Sequence, residues 1–184
     1  MIEREEASEF DVLEGDEGEP EVGRHRDVGG EILRMPLSEV KGAPPVTVAP
    51  DAPLSKAADL MRRKKVSALA VVERKKTKRL VGIITERDLV SRALPSRGWA
   101  KAQVKKFMTP APETLRPTDA VAYALNKMSV GGFRHVPLVD DAGRPAGMIT
   151  AGDLLDLLVE LCPEEILNLP PEPTLALHRS PEGD

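Results

Sequence analysis

The chain has 184 residues, 41% hydrophobic but only 3% aromatic, with a formal net charge of −4. Its core must be aliphatic, and its length allows one compact domain or two small ones sharing a core. The single cysteine, Cys162, excludes an intramolecular disulfide and cysteine–zinc spacing, no apolar run is long enough to span a membrane, and the acidic N-terminus is unlike a basic signal peptide, so a cytoplasmic protein is expected.

The first segment is strongly acidic. Residues 1–30 hold eleven acidic residues against three arginines, a net −8 that leaves +4 for the rest. With so few apolar residues it cannot offset its ordering entropy and is expected to be disordered. It reads as a solubilising tail, or as a mask for a basic surface.

The folded pattern then begins. Leu54, Ala57, Ala58 and Met61 have the i, i+3, i+4, i+7 spacing of an apolar helical face. Asp51 stands just before them as a cap candidate. Val66 to Val72 is a short β-prone run with little polarity, as expected for a strand covered on both faces. A basic turn, Glu73 to Arg79, leads to a second apolar strand, Leu80 to Ile84. Thr85 is an N-cap candidate for a helix from Glu86 to Leu94, stopped by Pro95.

A connector follows, with Trp99 expected over a sheet edge and a short helical pattern at Ala100 to Phe107. The first pattern then returns. A shift of 67 places Val48 on Leu115 and Pro50 on Pro117. The same shift carries the first helical face onto Val121, Ala124, Leu125 and Met128, with Thr118 as cap candidate. Gly131 and Gly132 read as a helix stop. Phe133 to Val139 repeats the first strand, Asp140 to Gly143 makes a shorter turn, and Ala146 to Ile149 repeats the second strand. The shift is now 65, because the first hairpin is two residues longer, and an insertion at a hairpin tip leaves the core register intact. Thr150 opens a last helix, Ala151 to Leu161, stopped by Pro163. Each unit reads strand, helix, strand, strand, helix, an α/β (α+β) chain of two β-α-β-β-α repeats. One unit alone exposes an apolar sheet face, so the two are expected to pack about a pseudo-twofold axis. Residues 164–184 start as a possible helical turn, Glu164 to Leu169, and become a polar, proline-rich tail expected to be mostly disordered.

Chemistry is sparse. Two of the three histidines, His25 and His178, fall in the tails, leaving only His135 in the folded pattern. No catalytic constellation, metal cluster, Walker pattern or Rossmann pattern is present, so an enzyme is not expected. The repeated Thr-x-x-Asp carries more information. GIITERDL (Gly82 to Leu89) returns as GMITAGDL (Gly147 to Leu154). Thr85 with Asp88, and Thr150 with Asp153, open a helix straight after a buried strand, where free amides and the helix dipole favour an anion. A threonine hydroxyl there can bond a phosphate, and the aspartate can accept ribose hydroxyls. The alternative is structural, with each pair forming a capping box.

The segments PVTVAPDAPLSKAADLM, LVGIITERDL, MTPAPETLRPTDAVAYALNKM, FRHVPLVDDAG and AGMITAGDLLDLL resemble the CBS domain, over roughly residues 36–161. The resemblance implies a first repeat at 36–95, a connector at 96–107 and a second repeat at 108–161. It implies a disc with two clefts that bind AMP, ADP, ATP or S-adenosylmethionine as a regulatory ligand, with no catalytic cofactor. It also implies a homodimer, and an effector protein separate from this chain. Ribose recognition falls on Asp88 and Asp153, with Thr85 and Thr150 as phosphate or ribose contacts. Arg134 and His135, just before Val136 and Pro137, would meet the phosphates of the ligand held by Asp153. The first repeat has Ser67 to Ala70 there, without charge or proline, and Arg87 is one donor available nearby. The clefts are therefore expected to be unequal, with the Asp153 cleft the better anion site.

Arg62 to Lys65 and Arg74 to Arg79 contribute nine positive charges that could attract nucleic acid. No aromatic residues interleave with them for base stacking, which favours a solvated hairpin or a surface for the acidic tail. The expected function is an adenine-nucleotide sensor acting on a separate partner or through its own oligomer. The alternative is a ligand-free dimerisation or scaffold module.

Overall fold

The computed structural model describes residues 28–161. The acidic segment 1–27, with His25, and the segment 162–184, with Cys162, His178 and the expected turn at Glu164 to Leu169, lie outside the described residues. The expectation of a disordered segment over 1–30 does not hold for residues 28–30, because Val28–Arg34 form a helix, α1. Ile32 is buried there among repeat-2 residues, which gives this segment an apolar anchor.

Repeat 1 contains β1 (Thr47–Val48), α2 (Leu54–Lys64), β2 (Ala68–Val72) and β3 (Leu80–Thr85). Its closing helix is α3 (Glu86–Asp88), running on into a π-turn, Leu89–Ala93. Repeat 2 contains α4 (Val121–Gly131), β5 (His135–Val139), β6 (Pro145–Thr150) and α5 (Ala151–Leu161). Between the repeats, β4 (Thr109–Pro110) joins the first sheet.

The duplication read from the sequence is visible in the matching registers of the two hairpins. Ala68 pairs with Thr85 as His135 pairs with Thr150. The bulge at Val71/Val72 returns at Leu138/Val139. The parallel pair Val48–Val71 returns as a single bridge, Leu115–Leu138. Both first helices end on a left-handed residue, Lys65 in one repeat and Gly132 in the other. Glycine adopts that conformation without the Cβ clash that Lys65 tolerates at a cost of about 1–2 kcal/mol.

Each repeat is completed by the segment that leads into the other. The turn Leu37–Glu39 precedes repeat 1 but packs on repeat 2, where Leu37 N donates to Asp119 O at 2.9 Å and Ser38 N to Pro117 O at 2.8 Å. The matching turn, Val104–Lys106, precedes repeat 2 but packs on repeat 1. There Val104 N donates to Ala52 O at 2.9 Å and Lys105 N to Pro50 O at 2.8 Å. Leu37 and Val104 are both fully buried. This exchange corrects the expectation that Asp51 and Thr118 cap the first helices. Pro53 and Ala120 hold the cap positions, with no side-chain bond. The first helical amides are taken instead by the incoming segments, Leu54 N by Ala102 O and Val121 N by Met35 O. Asp51 is left to pair with Arg74 at 2.7 Å.

Two further expectations change. Trp99 packs on the repeat-1 core beside α2 rather than over a sheet edge, much as Ile32 of α1 packs on the repeat-2 core beside α4. The helix expected over Glu86 to Leu94 widens after Asp88, with Leu94 N donating to Leu89 O at 2.8 Å. The widened turn buries both Leu89 and Ala93 in the repeat-1 core while Arg92 reaches Asp88. Where the repeats meet, Ala68, Ala70 and Ile83 pack on Met148, the small alanines allowing the sheets to approach. At β3, a Cβ on Gly82 would lie 2.5 Å from Met108 Sδ and 3.0 Å from Thr109 O, so β4 can pair there only against glycine.

A buried anchor that joins two halves should unfold both together. Leu37→Ala is expected to cost about 2–5 kcal/mol. Urea unfolding followed by Trp99 fluorescence, which reports repeat 1, should shift to the same midpoint as the whole-chain circular dichroism. Separate midpoints would show that the halves fold independently.

Candidate functional site

The strand pairing that ends at Thr85 and Thr150 brings both helix starts to one edge, where the repeats face each other. A cleft of about 800 Å³ opens there. One wall is Ser67, Ile83, Thr85, Glu86, Arg87 and Asp88 of repeat 1. The facing wall is Phe133, Arg134, His135, Thr150, Ala151, Gly152 and Leu155 of repeat 2. The stretch after β4, including Ala111, Pro112 and Glu113, closes a side.

Both Thr-x-x-Asp motifs form complete capping boxes. Thr85 donates to Asp88 Oδ2 from its amide at 3.0 Å and from its hydroxyl at 2.7 Å, while Asp88 N donates to Thr85 Oγ1 at 3.3 Å. Thr150 donates to Asp153 Oδ2 at 2.7 and 2.8 Å, and Asp153 N returns the bond at 3.1 Å. The structural role is therefore real in both repeats, and it holds each carboxylate rigidly at the start of its helix. The boxes differ on their other oxygen. Asp88 Oδ1 accepts from Arg92 at 3.2 Å, whereas Asp153 has no ion pair among the described residues.

Of the residues singled out from the sequence, six line this cleft: Thr85, Arg87, Asp88, Arg134, His135 and Thr150. Pro137 does not. It is fully buried in β5, so it shapes the strand rather than meeting a ligand. Asp153 is also absent from the lining. Arg134 and His135 line the same cleft as Asp88, while Asp153 stays near enough to His135 to raise its proton affinity. Adjacent strand ends of the two repeats bring them there, and Ser67 Oγ lies 2.7 Å from His135 Nε2. The walls supplied by Phe133, Leu155 and the Ala111 to Glu113 stretch were not anticipated. Phe133 adjoins Arg134 and Leu155 lies on α5, whereas the Ala111 to Glu113 stretch is brought in by the pairing of β4 with β3.

Burial holds the His135 imidazole below the usual histidine range. Arg134 pushes the same way, Asp153 and Glu86 oppose, and Arg87 adds a smaller downward push. The ring is therefore neutral near pH 7 and sits beside exposed Arg134.

A family model described as CBS domain matches residues 37–94 and again 104–160. The chain belongs to the CBS-domain family. An uncharacterized 17.7 kDa protein of Acidianus ambivalens is 30% identical over 125 residues, 68% of this CBS-domain chain and 74% of that one. Inosine-5'-monophosphate dehydrogenase of Aquifex aeolicus is 34% identical over 60% of this chain, but the match spans only 22% of the enzyme. Among solved structures, the CBS domain pair of protein MJ0100, in complex with 5'-methylthioadenosine and S-adenosyl-L-methionine, is 28% identical with a TM-score of 0.60. The similarity covers 68% of this chain and 97% of that one. CBSX2 in complex with AMP is 26% identical with a TM-score of 0.58, over 68% and 97%. The family match begins in each repeat at the exchanged turn, Leu37 and Val104, the second of which lies in the stretch expected to be a connector. No helix among the described residues is long and apolar enough to cross a membrane.

The state of His135 gives this CBS pair a pH signature. Between the ordinary histidine value near 6.5 and its lowered folded value, the unfolded chain binds a proton that the folded chain does not. Stability is therefore present above about pH 6.5 and falls as the pH drops through that window. Urea midpoints measured from pH 7.5 to 5.5 should fall, and His135→Gln should flatten the slope. An unchanged slope in the variant would assign the titration elsewhere.

Proposed function

We propose that this protein is a regulatory module that binds an adenosyl ligand (AMP, ADP, ATP or S-adenosylmethionine) in the cleft between its repeats. The observation that carries this is the cleft itself, in which Thr85 and Asp88 of one repeat face Arg134 and His135 of the other. Its volume is within the range of about 300–1,000 Å³ typical of small-molecule sites. Asp88 offers an acceptor for ribose hydroxyls, Ile83 an apolar surface for the base, and Arg87 and Arg134 charge for phosphates. The adenosyl ligands in the MJ0100 and CBSX2 structures support the same ligand class.

The module acts by binding rather than by chemistry. A ligand that touches both walls shifts the arrangement of the repeats only through its different affinities for the alternatives. The response is read by a separate effector protein, or by a homodimer of this chain, in the cytoplasm. Tyr123 and Val130 on α4, and Val90 in the π-turn, are exposed apolar residues available for such contacts.

Thermal unfolding with each of the four ligands tests the reading. At a hundredfold excess over Kd a ligand adds about 2.7 kcal/mol of stability, which raises Tm by several degrees. Asp88→Ala should abolish the shift. If no adenosyl compound moves Tm at millimolar concentration, the sensing role is lost and a ligand-free interface module remains.

A further inference from the structure

The repeats match in register but not in the path of their lead-in segments. In the open cleft, β4 pairs Thr109 with Ile83 and Pro110 with Gly82. The chain then turns at Ala111 with a left-handed φ of 43°, and Ala111 N donates to Val81 O at 3.2 Å. In the twin, Ala43 bridges Met148. By the shifts of 67 and 65 this corresponds to Pro110 on Ile83, a slip of one residue. The residue in the place of Ala111 is Pro44, and a pyrrolidine ring fixed near φ −65° cannot take the left-handed turn. The slipped segment lies hard against β6. A Cβ on Gly42 would be 3.1 Å from both Ile149 Cδ1 and Met148 O. The hollow beside it, about 330 Å³, is lined by Gly42, Ala43 and Pro44 but by neither Thr150 nor Asp153.

Charge differs in the same direction. Arg134 and His135 line the cleft with Asp88, and their counterparts in the duplication are Ser67 and Ala68. In the open cleft Asp88 is paired with Arg92, and Glu113 with Lys127. Arg87, Arg134 and Glu86 have no ion pair among the described residues, which leaves one excess positive charge facing the space, before His135 is protonated.

We propose that the chain binds one adenosyl ligand, in the Asp88 cleft, that this ligand is phosphorylated, and that Pro44 keeps the twin cleft shut. The phosphate sits on Arg134 with His135 beside it, and the ligand class is an adenine nucleotide rather than a sulfonium or an uncharged nucleoside. This rests on the adenosyl-binding role proposed above.

Titration calorimetry of the full chain with AMP, adenosine and S-adenosylmethionine tests it. One AMP per chain is expected, bound at least tenfold more tightly than adenosine. Arg134→Gln, at an exposed position, should remove that advantage while leaving adenosine binding unchanged. Asp153→Asn should leave AMP binding intact, and Pro44→Gly should raise the stoichiometry towards two. Two AMP per chain without substitution, or adenosine or S-adenosylmethionine binding as tightly as AMP, would overturn the inference and leave the adenosyl role standing. Loss of AMP binding in Asp153→Asn, or its persistence at full strength in Arg134→Gln, would also overturn it. A stoichiometry of one in Pro44→Gly would remove the role given to Pro44. If none of the three compounds binds, the adenosyl role falls and this inference with it.

Discussion

Leu37 and Val104 each sit in the core of the repeat to which they do not belong in sequence. Each brings a short backbone ladder with it, so that helix starts in one repeat are satisfied by carbonyls arriving from outside it. A unit of about sixty residues buries too little surface to be secure alone. The exchange gives each half a piece of core and a helix cap that it lacks. It also fixes the relative position of the halves, because a sliding motion would break both ladders at once. The cleft inherits this constraint. Its repeat-1 wall, its repeat-2 wall and the Ala111 to Glu113 stretch come from three parts of the chain, held together by the exchange, by the packing of Ala68, Ala70 and Ile83 on Met148 and by the pairing of β4 with β3.

The parts of this fold that a reader of the sequence could find are those written locally. The apolar spacing of Leu54, Ala57 and Met61 gave the first helix, and its copy gave α4. The change of shift from 67 to 65 located the hairpin insertion, and the strands fall where the duplication puts them. What was hidden depended on distant contacts. Asp51 looks like a cap because of its place in the sequence, but the amide it would serve is already bonded to Ala102 O. The resemblance links Arg134 and His135 to the carboxylate of their own repeat, and the contact of His135 with Ser67 carries them into the cleft that Asp88 lines. Ser67, set aside for lacking charge, is the partner of His135. The one-residue slip at Ala43 has no local signature except Pro44, whose effect is visible only against Ala111.

The Thr-x-x-Asp motif shows why structural and ligand-binding readings of one motif need not exclude each other. A capping box uses one carboxylate oxygen and leaves the second facing outward. A carboxylate has about four acceptor positions. At Asp88 two are taken by Thr85 and one by Arg92, so one position remains for an incoming hydroxyl. At Asp153 the two bonds from Thr150 leave the other oxygen without a protein donor among the described residues. Judged by the carboxylate alone, Asp153 is the more available acceptor. The walls favour Asp88, which lines the cleft of about 800 Å³ as Asp153 does not.

Arg92 links the cleft to the exchange. Its guanidinium donates to Asp88 Oδ1 and also, at 2.9 Å, to Phe107 O. Phe107 directly follows the exchanged turn Val104–Lys106, and its own amide bonds Val104 O. A ribose that donates both hydroxyls to Asp88 competes with Arg92 for Oδ1. On the proposed reading, occupancy of the cleft therefore loosens one tie to the segment that joins the repeats, while the phosphate adds a new tie across them through Arg134. Those two changes act on the same element in opposite senses, and their balance sets the direction of the response. A module with an occupied Asp88 cleft and a shut twin thus has an inherent asymmetry. On that reading a ligand perturbs the contact of Arg92 with the segment after Val104–Lys106 and has no counterpart at Leu37–Glu39, so the two repeats respond unequally.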